Sequence, residues 1–260
     1  GKLRAWLKAG YLERGMFHPT AEGTPQGGII SPTAANMALD GLAGRLKTHV
    51  RGRRKVNLVR YADDFIITGV SQALLEEEVK PLVVQFLTER GLELAEEKTR
   101  IVHIDQGFDF LGFNVRKYNG KLLIKPATSS IAAVKEKARE ILKTGASLPQ
   151  DVLIRRLNPV IRGWGNYYRH VVSKEVFGDI DHAIWRMTWN WATRRHPQKG
   201  RKWVKDRYFA HKDGRDWVFT DGSVTLFRMA TIPIRRHVKV RGDANPYDPQ
   251  DASYFAARHA

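Results

Sequence analysis

Two adjacent aspartates, Asp63 and Asp64, stand between two runs of strand-forming residues, "VNLVRY" at 56–61 and "FIITGV" at 65–70. No other feature constrains the fold of this chain as strongly. Apolar and β-branched runs on either side of a short polar pair predict a β-hairpin with the acids at its turn. Neighbouring carboxylates repel one another, so they stay hydrated or share a cation. An isolated Asp-Asp pair is an ordinary hydrated turn. The chemical alternative is a site for hard divalent cations, which prefer carboxylate oxygen. Two such ions, about 3.5–4 Å apart, stabilise both the attacking and the leaving oxygen of a phosphoryl transfer.

Charge narrows the partners. The 260 residues carry a formal net charge of +17, and it is uneven. Residues 1–124 hold 18 Lys+Arg against 14 Asp+Glu, whereas residues 125–260 hold 26 against 13. A basic second half points to a polyanion, with nucleic acid the default. The absence of cysteine excludes disulfides, cysteine-ligated zinc and a thiol nucleophile. No apolar run approaches the roughly 18 residues of a membrane span. The first residues, "GKLRAWLKAGYL", lack the apolar core of a signal peptide. The expectation is a cytoplasmic protein with no membrane partner.

The pattern along the chain predicts an α+β fold in three parts. Residues 1–124 alternate helices and strands. A helix is expected over 1–16, with Trp6, Leu7 and Leu12 on one side. A second starts at Ser31 and Pro32 and runs through Ala35, Leu39, Leu42 and Leu46. A third covers 72–91, with Leu75, Val79, Leu82, Val83 and Phe86 inward and Gly91 as its C-cap. Strands and turns follow, with Asn119-Gly120 a hairpin turn. Residues 125–215 read as a helical module. Ile131, Val134, Ala138 and Ile141 form one apolar face, and six of the seven tryptophans (164, 185, 189, 191, 203, 217) lie in this module or just after it. Residues 216–260 form a basic extension, strand-like from about Phe219 and ending in a Pro- and Asp-rich linker.

Tyr61-Ala62-Asp63-Asp64, preceded by "GTPQGGIISP" at 23–32, resembles the palm of reverse transcriptases. It is closest to the group II intron-encoded reverse transcriptase/maturase family, and Ala62 favours that branch over the retroviral one. The resemblance covers roughly residues 1–240. On it, Asp63 and Asp64 are catalytic carboxylates holding two Mg²⁺ ions, or Mn²⁺ in their place. Pro25, Gln26, Gly27 and Gly28 are nucleotide-binding, the glycines allowing close backbone approach. Lys98, in Glu97-Lys98-Thr99 and ahead of a strand, would contact the triphosphate or protonate the leaving pyrophosphate. Phe110, Leu111, Gly112 and Phe113 correspond to the primer grip.

The stretch Leu157-Asn158-Pro159 to Arg162-Gly163-Trp164-Gly165-Asn166-Tyr167-Tyr168 resembles the family's thumb, or maturase-specific domain. Arg155, Arg156, Arg162 and Arg169 interleave there with aromatics, and Arg194, Arg195, Lys199, Arg201 and Lys202 form a second basic cluster. These nine residues are the candidate RNA contacts. The tryptophans and tyrosines, taken singly, read first as helix core.

The resemblance implies an RNA-directed DNA polymerase of a mobile element that also assists RNA splicing. Its partners would be intron RNA, an RNA template, a DNA primer and dNTPs, with a homodimer as one possible assembly and the bacterial cytoplasm as its location. Other readings are a non-enzymatic splicing maturase, or a reverse transcriptase of a retron or CRISPR-linked system. The family's third carboxylate belongs to a motif N-terminal to residue 23. Glu13 and Glu22 do not match it. The chain is therefore expected to begin inside the palm, without fingers, and to be inactive alone. "NPYDPQDASYFAARHA" resembles the lead-in to an HNH endonuclease domain.

Overall fold

The structure, a computed structural model, describes residues 10–13, 15–19, 31–50, 56–242 and 244–259. Two compact units divide the chain, residues 1–103 and 104–260. This division lies upstream of the change in composition near 124, because the strands just before that point pack with the helices after it.

In the first unit, β1 (Tyr11–Glu13) pairs antiparallel with β2 (Met16–His18). A helix was expected over the end of this stretch. Gly10 at φ 71° and Gly15 at φ 82° adopt left-handed backbone that a helix cannot contain. Residues 1–9 of that expected helix lie outside the described residues. The helix expected from Ser31 is two helices, α1 (Ser31–Ala38) and α2 (Leu42–His49), separated at Gly41 with φ 86°. The hairpin of β3 (Asn57–Tyr61) and β4 (Asp64–Thr68) follows, then a π-helical turn (Leu74–Val79) leading into α3 (Lys80–Thr88). Gly91 ends this helix as expected. At φ 69°, its N–H donates to the Thr88 carbonyl and the Leu92 N–H to the Leu87 carbonyl, a Schellman motif. Leu42, Leu46, Val79, Val83 and Phe86 form the core, with Leu58, Phe65 and Ile67 of the hairpin against it. Arg45 on α2 holds Glu89 through a two-pronged ion pair.

The second unit opens with a three-stranded meander: β5 (Phe108–Phe110), β6 (Phe113–Tyr118) and β7 (Lys121–Pro126). Asn119 and Gly120, at φ 46° and 82°, make the expected tight turn between the last two. Three long helices follow: α4 (Thr128–Thr144), α5 (Gln150–Tyr168) and α6 (Lys174–Arg195). Val134 and Ala138 of α4 are buried as its periodicity predicts, against Leu153, Ile154, Leu157 and Ile161 of α5 and Phe177, Ile180 and Ile184 of α6. Then come α7 (Arg201–Tyr208) and a hairpin of β8 (Phe209–Lys212) and β9 (Arg215–Phe219).

Strand-like structure was expected to begin near Phe219; it ends there. Residues 220–240 form a strap held by side chains rather than by a ladder. The Asn158 amide donates to the Thr225 carbonyl and accepts from the Phe227 N–H, and the Asp181 carboxylate accepts from the N–H groups of Met229 and Ala230. The linker expected at the end contains a further helix, α8 (Ala252–His259). No helix among the described residues is long and apolar enough to cross a membrane.

Candidate functional site

The aspartates sit where the sequence places them. Tyr61 pairs with Asp64, so Ala62 and Asp63 form a two-residue turn. Ala62 has φ 53°, a left-handed conformation that costs a non-glycine residue about 1–2 kcal/mol. Leu58 and Arg60 of β3 face inward, while Val59 and Tyr61 are 55% and 65% exposed. Residues opposite one another in a ladder share a face, so the exposed Asp64 lies beside Tyr61 on the solvent side. Arg60 is not aimed at the acids. Its guanidinium donates to the Asn36 side chain and to the Ala62 carbonyl, bracing the turn from below.

Asp63 and Asp64 are exposed, and among the described residues no cation pairs with either. Among the described residues no group of three His, Cys, Asp or Glu could hold a metal ion. The pair still fits the protein's share of a magnesium site, because Mg²⁺ is commonly held by one or two carboxylates together with water and substrate phosphates.

Other expected residues are dispersed. Pro25, Gln26, Gly27 and Gly28 lie outside the described residues. Lys98 is exposed in a turn over 96–98, its N–H bonded to the Ala95 carbonyl, and it pairs with neither aspartate. The strand expected after it is absent: residues 99–107 form turns and irregular backbone until β5.

Phe110 to Phe113 make a tight turn of their own. Phe110 pairs with Phe113, leaving Leu111 at φ 50° and Gly112 at φ 80°. Both positive angles mark a type I′ turn. Two consecutive tyrosines of α5 clasp it. The Tyr167 hydroxyl donates to the Leu111 carbonyl at 3.1 Å, and the Tyr168 hydroxyl to the Gly112 carbonyl at 2.9 Å. The Gly112 carbonyl also accepts from the Ala127 N–H at 2.8 Å and the Ser130 hydroxyl at 3.3 Å. The Phe113 ring stacks on Tyr167 at 5.2 Å and meets Tyr168 edge-on at 5.0 Å. A Cβ at Gly112 would come within 2.7 Å of the Tyr168 hydroxyl. Sequence reasoning named the turn and the tyrosines separately and missed the clasp.

The nine candidate RNA contacts divide by environment. Arg156, Arg194, Arg201 and Lys202 are exposed. Arg155 lies 3.9 Å from Asp151, Arg162 covers the Phe227 ring at 4.4 Å, and Lys199 lies 5.5 Å from the Trp203 ring. Arg169 is half-buried, its carbonyl accepting from the Arg235 N–H. Arg195 is engaged structurally: its guanidinium donates to the carbonyls of Ala146, Ser147 and Leu148 and lies over Trp191. Asp181, which sequence reasoning did not single out, has its pKa raised from its ordinary value by burial, against the opposing pull of the Ala230 and Met229 N–H groups.

The first unit thus presents two exposed acids at a hairpin turn, and the chain continues into a basic helical module. Residues 2–115 match the family model for reverse transcriptase (RNA-dependent DNA polymerase), and residues 131–209 match that for the group II intron maturase-specific domain. One chain thus carries a region matching reverse transcriptases followed by a region matching the group II intron maturase-specific domain. It is 30% identical over 180 residues to Protein YkfC of Escherichia coli (strain K12), covering 57% of this chain and 46% of that protein. It is 30% identical over 171 residues to the group II intron-encoded protein LtrA of Lactococcus lactis subsp. cremoris, covering 43% and 28%. The chain thus spans less than half the length of these curated relatives.

Proposed function

We propose that Asp63 and Asp64 are two of the carboxylates of a nucleotidyl-transfer centre, and that the basic helical module binds the intron RNA. The observation that carries the first part is the Tyr61–Asp64 turn, with both acids exposed and, among the described residues, paired with no cation. In the complete protein a primer 3′-hydroxyl attacks the α-phosphate of a dNTP and pyrophosphate leaves. Asp63 and Asp64 would hold Mg²⁺ there, the ions supplying charge stabilisation to the attacking and leaving oxygens. Tyr61 and Val59 offer an exposed floor beside the acids for the terminal nucleotide. The Phe110–Phe113 turn serves as primer grip, its carbonyls fixed by Tyr167 and Tyr168. Lys98 acts as the acid toward pyrophosphate, and Pro25 to Gly28 contact the nucleotide.

The two roles separate by mutation. Replacing Asp63 and Asp64 together by alanine in the complete intron-encoded protein abolishes Mg²⁺-dependent cDNA synthesis on an RNA template and spares assistance to splicing. Retained synthesis would overturn the centre; loss of both activities would overturn the separation. The 260-residue chain alone, in which no third metal-binding side chain stands with Asp63 and Asp64 among the described residues, gives no primer extension. Robust synthesis by the isolated chain would refute that.

A further inference from the structure

The β8–β9 hairpin contains a register irregularity. Ala210 pairs with Val218 and Lys212 with Arg215, so Asp216 and Trp217 together oppose His211 alone. This is a β-bulge, a device that re-aims a side chain. Trp217 has φ 61°, backbone that bulky residues rarely adopt. Its carbonyl accepts from the Trp185 indole N–H at 3.0 Å, and its ring meets Trp189 edge-on at 5.3 Å. The indole is nevertheless 38% exposed. Strain held on a partly exposed aromatic residue motivates a hypothesis of function beside its packing on Trp185, Trp189 and Phe209.

Trp217 borders a groove of about 620 Å³ between α6 and β9, walled also by Trp185, Phe227, Arg215 and Arg228. That is the size of an ordinary small-ligand cleft, roughly 300–1,000 Å³. The acids at its edge are already engaged. Asp216 accepts from or pairs with His211 at 2.9 Å, and Asp181 is bonded to two backbone N–H groups and lies 3.8 Å from Arg228. Arg215 forms no contact-distance ion pair among the described residues, although its charge acts on Asp181, and the Lys205 ammonium, outside the groove lining, lies 5.4 Å from the Trp217 ring. Aromatic faces flanked by cations match a base and its phosphate, since every base has a π-face to stack. An apolar peptide would leave the cations unused.

We propose that this groove seats an unpaired base of an RNA strand, with Trp217 as the stacking surface and Arg215 for the adjoining phosphate; this rests on the RNA-binding reading of the helical module. The test uses the whole chain with two fluorescein-labelled probes, a ten-nucleotide single-stranded RNA and a blunt RNA duplex, read by anisotropy. Trp217→Ala weakens single-strand binding about tenfold, and Trp217→Phe keeps most of it. Duplex affinity stays within about twofold, because duplexed bases are unavailable for stacking. A 5-iodouridine single strand crosslinks to Trp217, Trp185 or Phe227 in the unsubstituted protein. Unchanged single-strand affinity in Trp217→Ala, or crosslinks confined elsewhere, overturns the proposal. Should Trp217→Ala fail to fold, the crosslink map and Arg215→Gln decide it. Duplex binding without single-strand binding would sink the groove alone, whereas binding of neither probe would sink the RNA-binding reading with it.

Discussion

Gly112→Ala tests whether the clasp on the Phe110–Phe113 turn is as tight as its geometry indicates. Two glycines at similar backbone angles give an internal comparison. Gly120, at φ 82°, has nothing within 4 Å of a prospective Cβ, whereas at Gly112, φ 80°, the Cβ would meet the Tyr168 hydroxyl at 2.7 Å and the Ser130 hydroxyl at 2.9 Å. Alanine at Gly120 therefore costs only the left-handed conformation, about 1–2 kcal/mol. Alanine at Gly112 costs the same and also drives the buried Tyr168 hydroxyl from its acceptor. Leaving a buried polar group unpaired adds about 1–3 kcal/mol. Urea denaturation followed by tryptophan fluorescence reads the difference, since six of the seven tryptophans lie in residues 104–260. Gly112→Ala should be the more destabilising by about 1–3 kcal/mol. In a Tyr168→Phe background the nearest obstacle is gone, so the same substitution should cost less, with a coupling of about 1 kcal/mol. Equal costs at the two glycines, or strict additivity with Tyr168→Phe, would refute the clasp.

The remaining expectations concern side chains in the second unit. Burial raises the Asp181 pKa, so its contribution to stability is full below the unfolded-state value and is lost as pH rises through the folded-state value. Across that acidic window, stability of the unsubstituted chain should fall relative to Asp181→Asn as pH rises; a pH-independent difference in denaturation midpoint would contradict this. Arg195→Ala should lose about 1–3 kcal/mol, because three carbonyls of the α4–α5 loop lose a charged donor. Arg194→Ala should leave stability within about 0.5 kcal/mol yet weaken RNA binding. The two arginines responding alike in both assays would erase the distinction between them.

Local signals were the legible ones. The β3–β4 hairpin, the Asn119-Gly120 turn and the Gly91 cap each depend on residues within a few positions of one another. So does the buried face of α4, where Val134 and Ala138 recur at helical spacing. Two misread elements turn on single glycines. Gly41 breaks an apolar period that runs on through Leu42 and Leu46, and Gly15 turns a stretch whose Leu12 fits a helix equally well. Apolar periodicity alone does not register a residue that is free to adopt positive φ. The strap over 220–240 was misread for a different reason. Its backbone groups find side-chain partners at Asn158 and Asp181, and no pattern within the strap announces them.

The arginine- and aromatic-rich stretch of α5 shows what such a composition can conceal. In its interleaving of Arg155, Arg156 and Arg162 with Trp164, Tyr167 and Tyr168, the arginines read as RNA contacts and the aromatics, taken singly, as helix core. Much of it packs, as the aromatics were expected to. Asn158 holds the strap, Gly165 clears room for Ile232 and Met229, and Tyr168 fixes the Gly112 carbonyl. A Cβ at Gly165 would come within 2.4 Å of Ile232, so this glycine is required by packing alone. Tyr168 and Leu111-Gly112 are too far apart in sequence for any local pattern to pair them. The side chains that internal packing leaves out are the better candidates for RNA: Arg156, Arg194, Arg201 and Lys202 are exposed, while Trp217 is packed on one side and partly exposed on the other, on a left-handed backbone. Exposure against the local packing tendency separates residues retained for a partner from those retained for the fold.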